Sequence, residues 1–133
     1  MARSAPPVRP ASVTDLDRLV RGFADPTRLR ILNLLVAGEL CVCDLVELLR
    51  LPQSTVSRHL RYLHRAGLVE STREWKYAHY RLARPVMAVH RTLINCVRTC
   101  FHGVRSLDHE RAAAEAKGTK VVDAGGRYLV PGL

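Results

Sequence analysis

Two apolar-faced helical stretches meet at Leu51-Pro52, two short alternating runs follow with charged residues between them, and a long apolar stripe opens after Pro85. Together these observations predict a mainly α fold with a small β-hairpin, in the order α-α-α-α-β-β-α, which is a winged helix-turn-helix. The 133 residues suit one domain with a modest core. Apolar residues make up 47% but aromatic ones only 5%, so the core must be aliphatic.

Residues 1–11 hold three prolines and two arginines and read as a disordered basic arm. The domain itself is expected over 12–110. Ser12 or Thr14 can cap a first helix, with Asp15 and Asp17 in its first turn and Leu16, Leu19, Val20 and Phe23 on one face. Gly22 and Ala24 mark its end. Asp25-Pro26 opens the second helix as N-cap and first helical residue. Leu29, Ile31, Leu32, Leu34 and Leu35 cover so much of its circumference that it should be central and buried, with Gly38 as its stop.

A third helix is expected from about Cys43 to Arg50, and a fourth from about Gln53 to Ala66 after the turn at Leu51-Pro52. The fourth turns Val56, Leu60, Leu63 and Tyr62 inward. Gln53, Ser54, Thr55, Ser57, Arg58, His59 and Arg61 lie on its other side. Strands at 68–72 and 76–82 flank a tip of Arg73, Glu74 and Trp75, the wing. From Pro85 one long helix should run to about Leu107, carrying Val86, Val89, Leu93, Ile94, Val97, Phe101 and Val104. That stripe exceeds what one small domain needs, and a homodimer would use it. Residues 108–117 can extend the helix; 111–133 are expected as a flexible tail. From Gly118 the tail looks like the strand-and-turn segment that precedes the barrel in some amidohydrolases, but it lacks the metal-binding histidines that should follow.

A net charge of +9 predicts an anionic partner. A helix-turn-helix meets duplex DNA with the early residues of its second helix in the major groove. Gln53, Ser54, Thr55, Ser57, Arg58, His59 and Arg61 suit bases or phosphates, and Arg73 and Lys76 on the wing suit the backbone or minor groove. Any amphipathic helix has a polar face, so it is the combination with hairpin and charge that points to DNA. A dimer implies an inverted-repeat operator. No apolar run of transmembrane length, no signal-peptide core, no internal repeat and no phosphate-cradling glycine loop is visible, which predicts a cytoplasmic protein without a membrane partner.

These residues resemble the ArsR/SmtB family of metalloregulatory repressors. The resemblance is carried by Ala24 to Leu32, by Glu39-Leu40-Cys41-Val42-Cys43-Asp44-Leu45, by Gln53-Ser54-Thr55-Val56-Ser57-Arg58-His59-Leu60, by Leu63, by Ala66-Gly67-Leu68-Val69, and by Tyr77, His79, Tyr80, Arg81 and Leu82. It covers roughly 20–84 and implies a homodimeric winged-helix repressor that leaves its operator when an inducer binds. Cys41-Val42-Cys43 resembles the sensor segment of the arsenic branch and also of the Cd/Pb branch.

Thiolates select As(III), Sb(III), Cd, Pb, Cu(I) and Zn. The arsenic branch commonly carries a third cysteine three residues after the second; here that position is Val46. A third thiol must then come from Cys96 or Cys100, in the same or the partner subunit, unless the inducer needs only two thiolates, as a monomethylated arsenical does. Cys96 and Cys100 share one helix face, and as small residues they equally suit a buried dimer seam. Residues i and i+2 of a regular helix stand about 200° apart. Ligation by Cys41 and Cys43 is therefore expected to unwind the start of the third helix. His90, His102, Asp108 and His109 do not match the spacing of the family's zinc site, and His64 and His79 are expected as surface or packing residues.

Other readings remain. Paired thiols can form a disulfide or polysulfide, making a redox- or persulfide-responsive repressor. An enzyme, such as a thiol oxidoreductase, would need a Cys-x-x-Cys or a phosphate loop, and neither is present, so no catalytic residue or catalytic cofactor is expected. A basic scaffold that binds nucleic acid without regulation would ignore thiophilic ligands.

Overall fold

The computed structural model describes residues 12–85 and 87–117, with the backbone of 121–122 and 128–129. Helix α1 (Val13–Phe23) starts in a capping box: the Ser12 hydroxyl accepts from the Asp15 amide while the Asp15 carboxylate accepts from the Ser12 amide. Helix α1 ends where expected, with Gly22 in its last turn and Ala24 as its C-cap. A Cβ on Gly22 would stand 2.5 Å from Leu68 Cδ1, so a bare backbone is what lets α1 approach the Leu68 side chain where it lies. Helix α2 (Pro26–Val36) begins as expected, with Pro26 in its first turn and the Asp25 carboxylate accepting from the Arg28 amide. Burial works against that carboxylate's charge. The Arg28 amide and the nearby His59 and Arg28 still hold it below the ordinary range.

Strand β1 (Leu40–Cys41) leads into α3 (Val42–Leu49), and α4 (Gln53–Arg65) follows the Leu51-Pro52 turn. Strands β2 (Val69–Glu74) and β3 (Tyr77–Leu82) form the wing, closed by a tighter tip than expected, with only Trp75 and Lys76 between the paired Glu74 and Tyr77. The sheet order is β1-β3-β2, all antiparallel. The core is aliphatic, as the composition requires: Ile31, Leu32, Leu34 and Leu35 of α2 meet Leu45, Leu49, Val56, Leu60, Leu63 and Leu68.

The long C-terminal helix is not continuous. Helix α5 (Ala88–Cys100) stops at a turn in which Gly103 takes φ 92°, and α6 (Arg105–Ala116) folds back onto α2. Such a φ suits glycine, and the Asp108 carboxylate accepts from the Gly103 amide at 3.0 Å. The return is held by Arg30–Glu110 (2.7 Å), by the Asn33 amide donating to Leu107 O (2.8 Å), and by buried Arg111. Part of the stripe expected for dimerisation, Ile94 and Val97, is therefore buried within the protomer. The boundary expected between 110 and 111 falls inside α6, where Ala114 is fully buried. The arm 1–11 and the side chains of 118–133 lie outside the described residues; the backbone pairs β4 (Val121–Val122) with β5 (Tyr128–Leu129). Among the described residues no helix is long and apolar enough to cross a membrane.

His90, in the first turn of α5, is 2% exposed, and its Nε2 has no hydrogen-bond partner among the described residues. Burial holds this imidazole below its ordinary value. Because the folded value lies below the unfolded one, stability is greatest above about pH 6.5 and falls as pH drops, when only the unfolded chain takes up the proton. His59, also lowered chiefly by burial, adds with the same sign. Urea midpoints measured between about pH 7.5 and 5.5 are expected to decline for the wild type and to decline less for His90→Leu. Parallel curves for the two would show that His90 is solvated.

Candidate DNA interface and thiol site

Helix α4 is amphipathic in a simple way. At about 100° per residue, Ser54, Ser57, Arg58, Arg61 and Arg65 fall within about 100° of arc, opposite Val56, Leu60 and Leu63. The three buried residues face the core, and all the others except half-buried Ser57 are exposed. Gln53 is exposed at the helix start. Arg65 was missed from the sequence, although it continues the 57/58, 61 series by one turn.

His59 is not on this face. Its ring lies 3.8 Å from Asp25 and 3.5 Å from Arg28, with the side chain 12% exposed. Thr55 is half-buried on the same flank. Arg28 packs inside too: its guanidinium sits 4.2 Å over the Tyr62 ring and donates to Arg21 O and Gly22 O at the end of α1. The wing carries Arg73 in strand β2 and Lys76 in the turn, both exposed.

The thiol pair stands at the junction of these parts. Cys41 is the second residue of β1, opposite His79 of the wing, and also the N-cap of α3. Its φ −76° and ψ 160° are extended, so it is not in the helix. Its sulfur accepts from the Asp44 amide at 3.3 Å. Cys43 is in the first turn of α3, and the two sulfurs are joined as a disulfide across a Cα separation of 5.3 Å. One premise is corrected here: the two cysteines do not both lie in regular helix, because α3 begins one residue after Cys41, so their sulfurs converge with the helix intact, in the disulfide form open to paired thiols.

Cys41, Cys43 and Asp44 are the one group of three or more metal-ligating side chains that gathers within 4.8 Å among the described residues. Cys41 is nearly buried and Cys43 exposed, so the pair opens to solvent on one side. Asp44 is also 3.9 Å from Lys117 at the end of α6, and Lys117 is 2.6 Å from Glu47. Glu39, 5% exposed just before β1, accepts from the Thr72 hydroxyl of the wing.

Cys96 and Cys100 do not join this group within one protomer. Both are exposed on α5 of the single protomer. A hydrogen bond between the two thiols holds Cys96 above its ordinary value. His102 pairs with Asp108 at 3.5 Å, and with His90 and His109 they form no ligand cluster among the described residues. His64 is exposed, and His79 lies half-buried, 3.9 Å from Glu74.

Comparison with known proteins agrees with this architecture. Residues 25–71 match the family model described as bacterial regulatory protein, arsR family. The chain is 36% identical over 106 residues to the arsenical resistance operon repressor of Escherichia coli K12, covering 75% of this chain and 91% of that one. Among solved structures it is similar to HlyU from Vibrio cholerae, with TM-score 0.58 and 31% identity over 66% of this chain and 92% of that one. It is also similar to the homodimeric winged helix-turn-helix DNA-binding domain Mb0332 of Mycobacterium bovis, with TM-score 0.57 and 28% identity over 73% and 85% of the two chains. The chain belongs to the ArsR family: it is a winged helix-turn-helix, DNA-binding transcriptional repressor and not an enzyme.

Proposed function

We propose that this repressor is a homodimer that binds an inverted-repeat operator and releases it when trivalent arsenic or antimony, or a methylated trivalent arsenical, binds Cys41 and Cys43. The observation that carries this is the convergence of two sulfurs at the N-cap of α3. The Cys41 sulfur accepts from the Asp44 amide at the start of α3, so one donor of the pair is held in place by the helix. Two thiolates serve a monosubstituted arsenical; arsenite takes a third from Cys96 or Cys100 of the second protomer. The E. coli relative, an arsenical resistance repressor, supports the arsenic reading. The dimer is supported by the homodimeric neighbour and by Val13 and Val20 of α1, 83% and 52% exposed. DNA contacts come from Gln53, Ser54, Ser57, Arg58, Arg61 and Arg65 on α4 and from Arg73 and Lys76 on the wing.

Signal transfer follows from where Cys41 sits. It is paired to the wing through β1 and caps α3, whose Leu45 and Leu49 pack against the α4 side of the core. Ligation that changes the Cys41–Cys43 geometry re-aims wing and recognition helix against each other. It lowers operator affinity by the difference in inducer affinity between the two arrangements.

The disulfide favours a second reading, a thiol–disulfide switch. A small-molecule disulfide would exchange with the Cys41/Cys43 dithiol, oxidising it to the intramolecular bond and leaving as two reduced thiols. One experiment separates the two. A duplex enriched by the full chain from a random-sequence pool is titrated under strong reductant with As(III), Sb(III), methylarsenite, Cd(II), Pb(II) and Zn(II), then with oxidised glutathione and no reductant. Release by As(III) under reductant is expected; release by the oxidant alone would replace the arsenic reading with the redox one.

A further inference from the structure

The tip of the wing is built against its own stability. Trp75 is the first of two residues in a hairpin turn and has φ 59°. Positive φ there is the usual place of glycine or asparagine, and a bulky side chain is strained. Trp75 gains little packing in return: it is 81% exposed. Its neighbours arrange it without covering it. The Tyr77 ring meets it edge-on at 6.2 Å, and the Lys76 ammonium lies 4.9 Å over its face and 5.5 Å from the Tyr77 ring. The result is a projecting aromatic with a cation fixed beside it, and Arg73, exposed two residues earlier in β2, adds a second basic group near the tip. An exposed, strained indole on the only chain position that carries tryptophan has no structural explanation inside the protomer.

We propose that Trp75 is a DNA contact, which the indole makes by entering the minor groove beside the major groove read by α4. The apolar ring packs on the deoxyribose walls while Lys76 and Arg73 meet the flanking phosphates. The match is chemical: a groove about 6 Å wide admits a flat ring edge-on, and apolar wedges beside basic residues are how proteins grip it. Cationic charge alone would serve phosphates; the indole adds a contact that salt does not screen.

The pool-enriched duplex serves as the probe. Because Trp75 is the single tryptophan, its emission reports the contact directly. Saturating duplex is expected to quench or blue-shift it. Trp75→Gly and Trp75→Asn relieve the backbone strain, so they should melt within about 2 °C of wild type or above it. By anisotropy of labelled duplex, both should bind about tenfold more weakly with an unchanged salt slope, whereas Lys76→Ala should reduce that slope by about one. Unchanged emission at saturation, or wild-type affinity in both Trp75 variants, overturns the proposal.

Discussion

Replacing Cys41 and Cys43 together by serine is expected to leave operator binding within about threefold of wild type and to abolish the loss of affinity on adding arsenite, a response of about 5- to 150-fold in coupled sites of this kind. The serine at 41 is the informative choice. A hydroxyl accepts from the Asp44 amide as the sulfur does and is a favoured N-cap, so α3 keeps its start. Cys41→Ala would remove the cap and cost about 1 kcal/mol, confusing a structural effect with a ligand effect. Cys43 is exposed and caps nothing, so serine there tests ligation alone. The measurement is anisotropy of the enriched duplex with and without arsenite under reductant. Full release from the double variant would sink the assignment of Cys41 and Cys43 as the sensor.

The second large effect concerns stability. Arg111→Ala is expected to lower unfolding free energy by about 2–4 kcal/mol. Arg111 is 9% exposed, and its guanidinium donates to Asn33 Oδ1 at 2.6 and 3.0 Å, to Val97 O at 2.9 Å and to Arg98 O at 3.3 Å. Its Nη1 also lies 3.5 Å from His102 Nε2. None of these partners is a carboxylate. The charge is accommodated by the carbonyls at the end of α5, where the helix dipole is negative. Removing it leaves Asn33 Oδ1 and Val97 O without this donor and removes its link from α6 to α2 and α5, while Arg30–Glu110 and Asn33–Leu107 remain. Arg111→Lys should recover only part of the loss, because one ammonium cannot span the same fork of acceptors. Urea unfolding reads this as a lower midpoint with little change in slope. A midpoint equal to wild type would mean that α6 is not docked in solution.

Much of the fold was legible because its signals are local. Asp25-Pro26, Leu51-Pro52 and the 3- and 4-residue spacing of Val56, Leu60 and Leu63 each follow from backbone chemistry within a few residues. The exposed polar face of α4 was legible for the same reason, apart from His59. Its neighbours Asp25 and Arg28 come from another helix, and helical position alone does not say which polar residue is drawn inward. The break at Gly103 was hidden by an apolar stripe that runs on through Val104. Glycine permits a turn but does not demand one, and the deciding contacts, Asn33 to Leu107 and to Arg111, span more than seventy residues.

The thiol pair shows the division most clearly. The sequence by itself determined that two cysteines lie two residues apart at the entrance to α3, since residue type and spacing are local properties. Only the tertiary structure decided that Cys41 is strand as well as cap. A two-residue strand has no sequence pattern of its own; it exists because β3 offers Leu40 and Cys41 a hydrogen-bonding edge. That pairing holds Cys41 extended, turns its sulfur toward Cys43, and ties the site to the wing and, through α3, to the recognition helix.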